Sequence, residues 1–304
     1  MRRYAIGLLL LALAEGSSYA QSLPEPQEAG AEELRGESLD DSSSPAHPLR
    51  QAMAKRGNTS RLFFMPVADT VGAYEMALSY DGSLLEEPGV LSSAGVLAVG
   101  VGNLAQIDYR HISAIGIDGG SVPLPSVGVQ LKLPFDTGDM IPAVAISYRL
   151  GIAHEEGDAV QELDEVYAVA HFALPLDLDL HVGLRVASAS LELNGEEDKT
   201  TDWYPAVGLA HDIGSKVTTI LEVGRAPKFD IVDGAPAIND GVTGRLGLRW
   251  RMHPRFSFDA SAGYLAQGVS TDPNDLLAWD IRLGGEVFVP WGALACESLS
   301  LFCK

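Results

Sequence analysis

The sequence predicts an all-β protein, a single antiparallel up-and-down transmembrane β-barrel of about twelve strands. Three observations carry that expectation. Apolar and polar residues alternate with a period of two over most of the chain. The alternating segments are joined by connections that are short and long in turn. Opposite each apolar face lie Gly, Ala, Ser and charged residues, as a wet interior would require.

Residues 1–20 have the form of a secretory signal peptide. Arg2 and Arg3 supply its positive end, Ala5 to Ala14 its apolar run, and Ser18-Tyr19-Ala20 a small-x-small cleavage site. A membrane helix needs roughly 20 apolar residues, so this run is too short to be one, and no other stretch comes closer. An exported chain without a helical anchor is expected. Residues 21–58 are acidic and rich in Pro and Ser (LPEPQEAGAEELRGESLDDSSSPAHP). Such a composition cannot offset chain entropy and predicts a disordered periplasmic leader. The functional alternative is a docking segment for a periplasmic partner.

The barrel is expected over residues 59–290. Leu178, Leu180, Val182, Leu184 and Val186 share one face, and Asp179, His181, Gly183, Arg185 and Ala187 the other. Val242 to Met252 and Leu277 to Val289 repeat the pattern. A period of two excludes a helix face. The same reading places strands near 73–80, 94–101, 105–112, 124–134, 141–150, 162–174, 178–189, 202–211, 217–224, 241–252, 256–264 and 277–289. Arg61 to Pro66 either extends the first strand or forms a short piece before it.

Short turns fall at 102–104, 135–139, 175–177, 212–216 and 253–255. Longer, mostly acidic loops fall at 81–93, 113–123, 151–161, 190–201, 225–240 and 265–276. An even strand count puts both ends of the barrel on the periplasmic side. A soluble β-sandwich or lipocalin-like barrel also alternates, but its apolar face turns inward to a tight core. Here Tyr74, Tyr80, Tyr148, Trp203, Trp250 and Trp279 gather near strand ends, where membrane interfaces would lie.

On these features, from Arg61 to Pro290, the chain resembles bacterial outer-membrane β-barrel proteins of the porin-like, transport-associated kind. The resemblance is one of architecture and rests on no diagnostic motif. It implies a place in the bacterial outer membrane and contact with outer-membrane lipid and lipopolysaccharide. It also implies handling by the barrel-assembly machinery and the passage of small solutes. Such proteins often end on an aromatic residue; here Phe288 and Trp291 end the last strand and a tail, 291–304, follows.

Composition narrows the function. The formal net charge of −20 argues against nucleic acid or an anionic lipid surface as partner. The expected lumen face carries Arg110, Lys132, Arg149, Arg185, Arg245, Arg249, Arg251 and Arg282, with Glu75, Asp108, Asp179, Glu222, Asp259, Asp280 and Glu286. Such charges would sort small hydrophilic solutes in a passive pore. The alternative is a closed structural or assembly barrel, its charges paired across strands, acting through its loops or leader.

No enzyme activity is expected. His111-Ile112-Ser113 resembles the His-x-Ser pair of outer-membrane phospholipases, but no Asn stands ready to orient the imidazole. His171 and His181 straddle a short turn without a third metal ligand. No cofactor motif is present. Cys296 and Cys303, beyond the last strand, are spaced for a small disulfide ring in an oxidising periplasm. The acidic outer loops read as solvated tips.

Overall fold

Alternation with a wet side needs a closed sheet, because an open edge would leave backbone groups unpaired in lipid. The computed structural model describes residues 52–55, 57, 59–86, 93–115, 121–134, 142–156, 158–267 and 277–299. The signal peptide, nearly all of the leader and Cys303 lie outside the described residues, as does the side chain of Cys296.

Among the described residues thirteen strands form one antiparallel sheet: β1 (Met76–Glu86), β2 (Ser93–Val101), β3 (Ala105–Ile115), β4 (Ser121–Lys132), β5 (Ala143–Gly151), β6 (His154–Glu156) and β7 (Ala159–Leu174), then β8 (Leu178–Leu193), β9 (Glu196–Ile213), β10 (Val217–Val232), β11 (Ala235–His253), β12 (Phe256–Gln267) and β13 (Leu277–Val289). Consecutive strands pair with one another except β5 and β6, β1 also pairs with β13, and β5 pairs directly with β7. Twelve strands therefore close a ring. The three-residue β6 stands outside it, continuing β5 along β7 after a one-residue register shift: Arg149 faces Glu165, whereas His154 faces Gln161.

The ring is apolar outside and polar inside. Leu78, Leu97, Ile107, Val129, Ile146 and Leu246 stand exposed on the outer face. Between them, inward positions hold buried Ser79, Gln106, Asp108, Gln130, Ser147 and Glu286. In water this would expose a continuous apolar belt, which soluble proteins avoid; in lipid it is the stable arrangement. Trp203 and Trp279 stand ten residues from the short-turn ends of their strands, at Ile213 and Val289, and both are exposed outward. With ~3.3 Å per residue and ~40° of tilt, that spans about 25 Å, the height of the apolar band of such barrels. Trp250 and Met252 mark the opposite rim.

Two expected loops are strands. Residues 190–201 and 225–240 form the outer halves of the β8–β9 and β10–β11 hairpins, paired up to Leu193↔Glu196 and Val232↔Ala235. Their turns, Asn194-Gly195 (φ 54°, 84°) and Asp233-Gly234 (φ 55°, 85°), are left-handed at both positions, the geometry that matches strand twist in two-residue hairpins. The tail opens with a helix, α1 (Trp291–Leu299), which docks on the short-turn end. Gly292 donates to the Tyr74 carbonyl at 3.1 Å, and the Tyr74 and Trp291 rings meet edge to face at 5.5 Å.

Before β1 the chain enters the lumen. Gly57 donates to the Pro254 carbonyl at the short-turn end. Residues 59–66 climb inward, turn at Phe63-Phe64-Met65, and residues 67–75 return to the same end. Leu62 donates to Met65 O at 2.9 Å, Val67 to Ser60 O at 3.0 Å, and Arg61 and Pro66 form an isolated bridge. This inverted loop is the short piece before the first strand, and it lies inside the ring. Leu62, Phe63, Met65, Val67 and Ala68 are buried against inward-facing Ala145, Tyr167, Val169, Ala210 and Ile220. Burial of each larger side chain contributes about 1.5–3 kcal/mol.

Candidate functional site: the lumen and its plug

Three levels stack inside the ring. The lowest holds the inverted loop. Glu222 on β10 accepts from the backbone N–H of Phe63 (3.1 Å), Phe64 (3.1 Å) and Met65 (2.9 Å), so one carboxylate satisfies the whole tip. Arg249 on β11 is gripped bidentately by Asp259 on β12, both bonds 2.9 Å. Its remaining donors reach Thr59 Oγ1 (3.2 Å), Arg61 O (3.2 Å) and Leu62 O (2.8 Å). Thr59 in turn donates to Glu286 at 2.5 Å. On the returning limb Gln130 donates to Val67 O and Asp69 O, both at 2.9 Å, and Gln106 accepts from Val71 N at 2.9 Å. Leu62 fills a notch left by Gly208, where a Cβ would overlap its Cδ1.

The middle level is a charge lattice. Arg245 on β11 pairs with Asp280 on β13 at 2.6 and 2.8 Å, reaching over Gly263 of the strand between them. A Cβ at Gly263 would sit 2.5 Å from Arg245 Nη2, so a side chain there would displace the guanidinium from this bridge. Arg282 also pairs with Asp280, and with Asp81 at 2.7 Å. The Arg245 and Arg282 guanidiniums stand 4.9 and 5.4 Å from the Phe64 ring centre and hold the loop tip by cation–π contact. Across the lumen, Arg110 and Arg149 share one oxygen of Asp108 (3.3 and 3.2 Å), and Arg185 binds Glu165 at 2.6 Å.

Above the tip lies a chamber with an empty volume of about 1520 Å³, counted with the open solvent it joins. Phe64, Met65 and Pro66 form its floor; Arg110, Arg149, Glu165, Tyr167 and Arg185 lie along one wall. Toward the long hairpins an apolar cluster of Leu124, Ala189, Leu191 and Phe229 partly roofs the lumen, with Leu163 and Ile238 packed against it.

The expected lumen residues divide accordingly. Asp108, Arg110, Arg149, Arg185, Glu222, Arg245, Arg249, Asp259, Asp280, Arg282 and Glu286 face the interior. The remaining four mark the short-turn rim. There Lys132 pairs with Asp69 (2.5 Å), Asp179 with His171 (2.9 Å) and Glu75 with Arg255 (2.7 Å), while Arg251 donates to Ser215 O (3.1 Å). The dense group on the last three strands separates into the Arg249–Asp259 anchor and the Arg245–Asp280–Arg282 lattice. Sequence reasoning missed Glu165, Tyr167, Gln106 and Gln130. Their alternation with outward Val166 and Val129 and with Ile107 was the available signal. His171 and His181 stack at 4.6 Å between ring centres. Among the described residues no cluster of three or more His, Cys, Asp and Glu suits a metal. His111 shares the outward face with Ile107 and Tyr109, and the side chain of Ser113 lies outside the described residues.

A closed twelve-strand ring with an apolar exterior and a charged lumen defines an outer-membrane type of β-barrel. No family model matches the chain, and no curated protein matches it. Among solved structures it is similar to an outer-membrane channel from Pseudomonas putida F1, at 8% identity over 76% of this chain and 100% of that one, with a TM-score of 0.50. The NanC porin aligns at 13% identity over 70% of this chain and 98% of its own, TM-score 0.47. The KdgM porin aligns at 10% identity over 70% and 98%, TM-score 0.42. At such identities the likeness is one of fold.

Proposed function

We propose that the protein is an outer-membrane channel for small solutes, closed in this conformation by residues 59–71, and that its lumen charges set which solutes enter. One observation carries the reading. What fills the lower lumen is a separate, non-strand segment of chain, whereas the ring's own side chains leave a chamber above it. Small barrels can close their interior with side chains from their own strands, and this ring does not. A barrel stoppered by a separate segment becomes a conduit if that segment leaves. The likeness in fold to the Pseudomonas putida outer-membrane channel fits this reading.

The test compares single-channel currents in planar bilayers for the parent chain and for one with residues 59–71 replaced by Gly/Ser. The parent is expected to be silent or to open rarely, and the replacement to conduct in steady steps. Replacing Arg149 and Arg185 by Gln in the open form should reduce preference for anions. An inserted replacement that stays silent would refute the channel and leave the closed structural barrel.

A further inference from the structure

We infer that the chamber above the plug binds a small anion with an apolar body, a carboxylate carried on an aryl or arylalkyl group. This deepens the channel reading by naming its solute class. Three basic side chains on one wall, Arg110, Arg149 and Arg185, share only two carboxylates, Asp108 and Glu165. One positive charge is therefore surplus on that wall, and the chamber's third nearby carboxylate, Glu222, is taken up by the loop-tip N–H groups. Because Arg110 and Arg149 both place Nε on the same oxygen of Asp108, their guanidiniums lie side by side.

Each of these two is only partly used. Arg110 Nη2 and Arg149 Nη2 have no hydrogen-bond partner among the described residues, and neither has Tyr167 Oη. All three side chains are at least nine-tenths buried (Arg110 4%, Arg149 1%, Tyr167 5% exposed) and all line the chamber. A buried guanidinium donor without an acceptor is costly, and two planar forks side by side match the two oxygens of one carboxylate. The rest of the cavity asks for something different. Phe64, Met65, Leu124, Leu163 and Phe229 face the same space and offer no hydrogen bond from their side chains. A bare inorganic anion would satisfy the arginines and leave that surface wet. A neutral hydrocarbon would cover the surface and leave the donors unpaired. An aryl carboxylate satisfies both.

The probe is 4-phenylbutyrate, titrated calorimetrically into the full chain in lipid nanodiscs. Acetate tests the anionic group without a body, and 4-phenylbutanol tests the body without charge. One saturable site is expected for phenylbutyrate, with acetate and the alcohol each at least tenfold weaker. Arg149→Gln and Arg110→Gln should each weaken phenylbutyrate at least tenfold, Arg149→Lys less, and Phe229→Ser severalfold. Retained fast mobility on unheated SDS gels separates these losses from misfolding.

Acetate binding as tightly as phenylbutyrate, or Arg variants binding like the parent, would overturn the proposal. Binding is read on the plugged protein, so it does not depend on conduction. Saturable binding without current in the Gly/Ser-replaced chain would keep the site and sink the channel. Currents indifferent to phenylbutyrate, with no binding, would do the reverse.

Discussion

Glu222 offers the sharpest perturbation of the plug. Its carboxylate is the sole described acceptor for three consecutive backbone N–H groups at the loop tip, at 3.1, 3.1 and 2.9 Å. In Glu222→Gln the side chain keeps its length, but one acceptor oxygen becomes an NH₂ that points donors at donors. Hydrogen bonds to a charged group contribute about 1.5–3 kcal/mol each, and an unsatisfied buried donor costs about 1–3 kcal/mol. Losing the charge and at least one of the three bonds should therefore weaken docking by on the order of 3 kcal/mol. At ~1.4 kcal/mol per factor of ten, the fraction of barrels with the loop displaced should rise roughly 100-fold. Single-channel recording reads that fraction as open probability. The barrel itself should survive, because Glu222 makes no cross-strand ion pair among those described. An unchanged open probability for Glu222→Gln, alongside steady conduction by the Gly/Ser replacement, would refute the assignment of this carboxylate as the plug's anchor.

The remaining predictions concern other levels of the same structure. Gly208→Leu should drive Leu62 from its notch, raising conductance while gel mobility of the folded barrel is kept. Arg249→Met leaves Asp259 buried without its partner and strips three contacts from the loop, which should cost about 3–5 kcal/mol in equilibrium urea unfolding. Leu248 faces outward five residues from His253, about 13 Å up the band and so near its middle. Leu248→Arg should destabilise folding into vesicles by about 2–4 kcal/mol, whereas Arg on the long-hairpin tips should cost almost nothing.

The alternation of Leu178 to Val186 against Asp179 to Arg185 was enough to give the fold, because in a sheet the side a residue faces follows from its parity alone. Turn chemistry told more than was taken from it. Asn194-Gly195 and Asp233-Gly234 are two-residue hairpin signals, and they lie within segments whose acidic, polar composition reads as loop. Those residues pair as strands because, beyond the apolar band, both faces of a hairpin can be wet. Parity also identified most of the lumen charges, since inward positions follow from outward ones.

What sequence determined by itself was thus the closed barrel, its apolar exterior and which residues turn inward, each set by a period of two acting locally. Only the tertiary structure decided what those inward residues meet. Arg245 finds Asp280 thirty-five positions away across an intervening glycine, and Glu222 finds the backbone of Phe63 to Met65 from 157 to 159 positions away. The segment at 59–71 is too short and irregular to announce a role. Its apolar side chains become a core only because the ring around them supplies Ala145, Val169, Ala210 and Ile220 at the right height. Closure of the ring creates that environment, and no local pattern encodes it.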